Sequence, residues 1–258
     1  MFSERDLPED LDAVREELAP GAVVLDCESD FETLPPAQAE DLGLLVDELD
    51  PASYPEEWVP EDAPALLHRY AGSDFTIGMP GDGSVVWTRQ TDPPVILVKP
   101  RVEGAPEDFV DFLIAEALVE IGIDAPEHFL EFFGDRYPQL DAAVDRDPNS
   151  TYQIAAALTD AWVGLFTRNT FAQWHEDGSR LGAAWDDAGE RIEGRLTDLP
   201  TLVAQGETDF ADATELACSG IKHGMDLPDP FGALDNRAYA NRSADYAVKW
   251  AEKTFEML

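Results

Sequence analysis

The sharpest feature in the pattern of apolar and polar positions is Val95-Ile96-Leu97-Val98, an unbroken apolar run between Pro93-Pro94 and Pro100. Such a run, rich in β-branched residues, suits a strand covered on both faces. After a break at Gly104, Pro106-Glu107-Asp108 opens a helix, with its acids at the positive end of the dipole. From Phe109 to Ile121 apolar residues cover nearly the whole circumference, as in a helix buried in a large domain, and Gly122 and Pro126 close it.

Upstream, Phe75–Met79 and Ser84–Arg89 flank Pro80-Gly81-Asp82-Gly83, and Asp-Gly between apolar runs is a hairpin signal. With the Val95 run this predicts a three-stranded antiparallel meander. Before it, the pattern predicts a helix over Leu7–Leu18, a short strand at Ala22–Leu25, and a helix opened by Pro35-Pro36 with Leu42, Leu45, Val46 and Leu49 on one face. Helical periodicity then dominates: a short helix at Glu127–Phe133, long ones over about 151–171 and 181–196, another over 209–223, and a last one from Asn236 to the end. Strands followed by a run of helices predict a mainly helical α+β fold, the meander packed against a helical bundle. The Pro-rich piece from Pro51 to Pro64 divides the chain into an acidic N-terminal arm, 1–62, packed on an α+β core, 63–258.

Charge changes this picture most. The net charge is -37, from 54 acids and 17 bases, yet apolar residues make up an ordinary 44%. The acids are spread along the chain, although residues 1–62 are densest, with 20 acids and 2 bases. Self-repulsion of this size opposes compaction unless counterions screen it, and at about 1 M salt the Debye length is only ~3 Å. The composition therefore predicts a protein adapted to a salt-rich cytoplasm. Cys27 and Cys218 lack metal-ligand or redox spacing and read as thiols in a reducing compartment. The N-terminus has no apolar signal core, and the apolar helices are too short or too charged to span a bilayer. A chain so negative also argues against nucleic acid as a partner.

Three groups of residues are candidates for chemistry. Arg89, Lys99 and Arg101 belong to the one stretch, 63–102, where bases outnumber acids, and could clamp an anion; the alternative is pairing with acids such as Glu103 and Glu107. Glu116 and Glu120 share a helix face at i, i+4 in an otherwise apolar helix, and with Asp160 could supply oxygen ligands to a metal, with His128 or His175 as nitrogen donors. The alternative there is an exposed acidic stripe shared with Asp108 and Asp111. A meander followed by a buried helix with a central Glu resembles zinc metalloproteases in outline. The matching window, Ala115-Glu116-Ala117-Leu118-Val119, has aliphatic residues at both histidine positions, which excludes zinc catalysis through that motif.

The stretch SDFTIGMPGDGSVVWTRQTDPPVILVKPR with the adjoining FVDFLIAEALVEIG resembles hypothetical proteins of halophilic archaea that form an uncharacterised family. That resemblance implies no activity, no cofactor and no functional residues to transfer. The sequence thus supports a non-enzymatic interaction or accessory protein with a protein partner. The alternative is a small-molecule enzyme or sensor using the anion clamp or the carboxylate metal site.

Overall fold

The computed structural model describes residues 2–257, which divide into two compact units, 1–54 with 65–127 and 55–64 with 128–258. The first unit is built on a mixed sheet. Strand β1 (Phe2–Glu4) leads through helix α1 (Glu9–Leu18) to β2 (Val23–Cys27), α2 (Pro36–Leu42) and a two-residue strand β3 (Glu48–Leu49). Helix α3 (Ala65–Ala71), strands β4 (Val85–Thr88), β5 (Thr91–Asp92) and β6 (Val95–Val98), and helix α4 (Glu107–Gly122) complete it.

Mainly helical α+β is therefore correct, but the sheet is not a three-stranded meander. Its order is β1-β2-β6-β4, with β2 and β6 parallel in the register Val23↔Val95 and the other pairs antiparallel; β3 and β5 form a separate small ribbon. Residues 75–79 form no strand, although the turn at Asp82 stands, with the Met79 amide donating to its carboxylate at 2.7 Å. The reason lies in β6. All four of its residues are buried, so both of its edges need partners, and a meander fills only one of them. The short Ala22–Leu25 run, unpartnered in the sequence reading, supplies the other.

Strand alternation then sorts the core. Leu25, Cys27, Val86, Val95 and Leu97 pack on one side with Phe31, Leu34, Leu42 and Ile77. On the other, Trp87 reaches α4 and donates its indole N–H to Glu120 at 2.7 Å. Helix α4 buries Val110, Phe112, Ile114, Leu118 and Val119, and also Asp111, which removes Asp111 from the exposed acidic stripe expected there. Its last residue, Gly122, has the Leu18 carbonyl 2.7 Å from where a Cβ would stand, so only glycine lets α1 and α4 approach this closely. The second N-terminal helix is shorter than its periodicity predicts. It ends at Leu42, before Gly43, so Leu42 is buried while Leu45 and Leu49 turn outward instead of sharing its face.

The second unit is helical: α5 (Phe129–Phe133), α6 (Tyr137–Val144), α7 (Pro148–Glu176), α8 (Arg180–Gln205), α9 (Phe210–Ser219) and α10 (Arg237–Phe255). Helix α7 is its axis and packs against the five others. Asp147 caps it, accepting from the Asn149 and Ser150 amides at 3.1 Å. At its far end Gly182 of α8 lies so close that a Cβ would stand 2.2 Å from the His175 nitrogen, which locks the α7–α8 hairpin. Aromatic rings fill the interior, with Tyr239 buried and donating its hydroxyl to the Leu158 carbonyl at 2.5 Å.

Candidate functional site

The three bases of the expected anion clamp are not brought together. Strand β4 runs antiparallel to β6, with Val85 opposite Val98 and Thr88 opposite Val95. Arg89 therefore leaves one end of the ribbon while Lys99 and Arg101 leave the other, Lys99 roughly 17 Å of strand away at ~3.3 Å per residue. Arg89 pairs with Asp124, donates to the Ala125 carbonyl at 2.6 Å and lies over Trp87. Arg101 forks onto Asp30 at 2.8 Å and Glu32 at 3.1 Å and reaches the Phe31 carbonyl at 3.2 Å. The guanidinium holds the Asp30 carboxyl below its usual range.

Lys99 continues the Val95–Leu97 face and is wholly buried, its ammonium 4.8 Å from the Phe31 ring and without a hydrogen-bond partner. Burial lowers its pKa, opposed by the charge of Asp82. Asp82 is pushed up to about 6, mainly by desolvation, against the pull of the Met79 amide and Lys99. This end of the sheet is thus an internally compensated cluster of two bases and three acids that ties the segments around Asp30 and Asp82 to β6.

The residues of the metal set lie on two helices of different units. Glu120 accepts from Trp87, Glu116 is half-buried on the same helix, and Asp160 is exposed on α7 in the other unit. Among the described residues no group of three or more His, Cys, Asp or Glu side chains is placed to hold a cation. The carboxylate that organises its surroundings is one the sequence reading passed over. Glu127 accepts from the Thr88 hydroxyl at 2.7 Å, the Gln90 amide nitrogen at 2.7 Å and the Arg89 backbone N–H at 2.8 Å. Gln90 also donates to the Thr76 carbonyl at 2.9 Å and accepts from the Ala52 amide at 3.0 Å. Four polar residues in a row after the Val85–Trp87 run, Thr88 to Thr91, were the available signal, since three of them, Thr88, Gln90 and Thr91, are buried.

At the carboxyl ends of the parallel pair β2 and β6, where ligands gather in open α/β sheets, lies a cavity of about 380 Å³ bordered by Arg5, Asp26, Cys27, Glu103 and Glu107. Arg5 and Asp26 are 3.5 Å apart across it. Burial pushes the Cys27 thiol up to about 12, so it stays protonated and non-nucleophilic at neutral pH. Cys218 in the second unit is raised likewise by burial, and desolvation lowers His128 to about 3 and His223 to about 4.

The segment that follows α2 is different in kind. Leu44 is 83% exposed, Leu45 49% and Leu49 38%, while Val46 between them packs into the core. Glu40, Asp41, Asp47, Glu48 and Asp50 flank these leucines along the chain, and all five are exposed. Strand β3 holds the knob in place through the Glu48↔Asp92 and Leu49↔Thr91 pairs and the Asp47 amide, which donates to the Asp92 carbonyl at 2.8 Å.

A family model described as a family of unknown function, DUF7089, matches residues 1–258. The chain belongs to this family. No curated protein and no solved structure matches it. Among the described residues of this DUF7089 chain, no helix is long and apolar enough to cross a membrane.

Proposed function

We propose that this DUF7089 chain is a non-catalytic interaction protein that docks a protein partner on the Leu44–Leu49 knob. The observation that carries the reading is the exposure of Leu44, Leu45 and Leu49 in a segment that also exposes five acids. Burying a leucine fully is worth roughly 1.5–3 kcal/mol, so Leu44 and the exposed parts of Leu45 and Leu49 leave apolar area for a partner to cover. The acids define the partner: an apolar pocket edged by Lys and Arg, whose charges meet the rim while the leucines fill the centre.

The setting that fits the net charge of -37 is a salt-rich cytoplasm, where screening leaves apolar contact as the main source of affinity. A photoreactive residue placed at position 44, with Arg191 on the helical unit as the control position, tests the reading in intact cells. One protein should crosslink from position 44 and not from 191, and Leu45→Asp with Leu49→Asp should abolish the product. The same proteins captured from both positions, or a product indifferent to the two substitutions, would remove the proposal.

A further inference from the structure

Helix α10 reverses the charge balance of the chain. Between Arg237 and Phe255 it carries the bases Arg237, Arg242, Lys249 and Lys253 against the acids Asp245 and Glu252. None of these four bases forms an ion pair with a described residue, although acids outnumber bases 54 to 17 in the chain. Two of them, Arg242 and Lys249, border a groove of about 420 Å³ between α6 and α10. Arg136 and Gln139 enter it from the α6 side, Val248 lines its buried floor, and Asp245 and Glu252 complete the wall.

The groove is built rather than accidental. Arg136 is held by Gln139 at 2.8 Å and by Asp245 at 2.7 Å, so the Asp245 charge is already met. Arg242 and Lys249 remain as cations outside any ion pair among the described residues, and Glu252 is the one acid of the wall outside any such pair. The backbone contributes a second, independent sign. Ser243, next to Arg242, interrupts α10 with φ 41° and ψ -123°. A serine held there costs on the order of 1–3 kcal/mol relative to relaxed geometry, and such strain concentrates at ligand clamps and active sites. The break resets the direction of Arg242 relative to the helix that carries Asp245, Val248, Lys249 and Glu252 along one face.

From the two uncompensated cations, the groove and the strained serine beside them, we infer that this is a binding site for a small phosphomonoester. A phosphate dianion matches an Arg fork and a Lys point charge presented from either side of the break in α10. The Val248 floor and the Gln139 side chain accommodate a short organic remainder. The groove's size and the negative field of the remaining surface argue against a polyanion, which would be repelled at long range.

The test is calorimetric titration of the full chain at fixed ionic strength with ribose 5-phosphate and with inorganic phosphate, using chloride as the reference salt. Saturable binding of either phosphate is expected, weakened by about tenfold or more in Arg242→Gln combined with Lys249→Gln, one decade being ~1.4 kcal/mol. Lys253→Gln, on the same helix but outside the groove, should bind as the parent does. Preference for ribose 5-phosphate assigns the organic remainder to the groove; equal affinity assigns the site to the phosphate group alone, and both support it. Absence of saturable binding by the parent, equal binding by the double variant with unchanged circular dichroism, or binding only to a nucleic-acid polymer would overturn the inference.

Discussion

The two units hold the same number of acids, 27 each, but 6 bases in the first and 11 in the second. In the sheet unit every base is committed inside its own unit. Arg5, Arg15, Arg69, Arg89 and Arg101 form ion pairs, and Lys99 is buried over Phe31. Its basic residues serve as pins for loops, so its exterior is left acidic around the exposed leucines of the knob. The helical unit keeps the bases of α10 unpaired and collects two of them at a groove. The same chain composition thus yields one unit whose bases are all committed and one that leaves several unpaired, depending on whether the fold lets each base reach an acid.

The largest expected effect is that of salt, and it should fall on the sheet unit first. Glu48 stands directly across from Asp92 in the β3–β5 pair, a like-charge contact that screening must relieve. Trp87 is the only tryptophan of that unit. As salt falls from about 1 M to about 0.1 M, and the Debye length grows from ~3 Å to ~10 Å, Trp87 emission should shift to the red before helical circular dichroism is lost. A Trp87→Phe difference spectrum isolates the signal. Simultaneous loss would erase the distinction between the units, and full retention of structure would defeat the salt adaptation.

Next comes Glu127→Ala. It strands the donors of Thr88, Arg89 and Gln90, so chemical denaturation should show a loss of ~2–4 kcal/mol, with Glu127→Gln keeping part of it. A loss below about 1 kcal/mol would mean that water replaces the carboxylate freely.

Asp82 gives a smaller effect with a definite sign. Its folded-state pKa of about 6 lies above the ordinary carboxyl value of 3.8, so its contribution to stability is complete below the unfolded value and disappears as pH rises through about 6. Asp82→Asn should therefore gain over the parent above pH ~6, by at most ~3 kcal/mol, and the two should converge below pH ~4. Thermal melts across that range measure it, and a gap that widens on acidification would reverse the assignment. Smallest in stability is Leu44→Ser, expected within ~0.5 kcal/mol of the parent because the side chain faces water. A larger loss on melting would show that the knob belongs to the core.

Where the sequence carried long, strongly periodic apolar signals, it was legible. The burial of Val95–Val98, the all-round apolar helix after it, and helices α7 to α10 follow from patterns that depend only on neighbours along the chain. The sheet's order did not, because pairing Val23 with Val95 joins segments some seventy residues apart, and nothing local distinguishes an inner strand lacking one partner from one lacking none. The three bases of the candidate clamp are separated for a related reason. Arg89, Lys99 and Arg101 are close in sequence, but each reversal of an antiparallel ribbon sends its flanks to opposite ends. Glu127 and the α10 groove were invisible because their partners come from distant elements, and the leucine knob was hidden by a helical spacing that stops at Gly43.

The chain's linear order of residues was therefore enough to determine an ordinary apolar interior under a heavily acidic exterior, mainly helical with a small sheet. Tertiary structure alone decided which bases are neutralised and which remain available, and whether an apolar residue ends inside or outside. The physical reason is range: helix and strand formation answer to residues a few positions away, whereas ion pairing and burial answer to whatever the folded chain sets within a few ångströms.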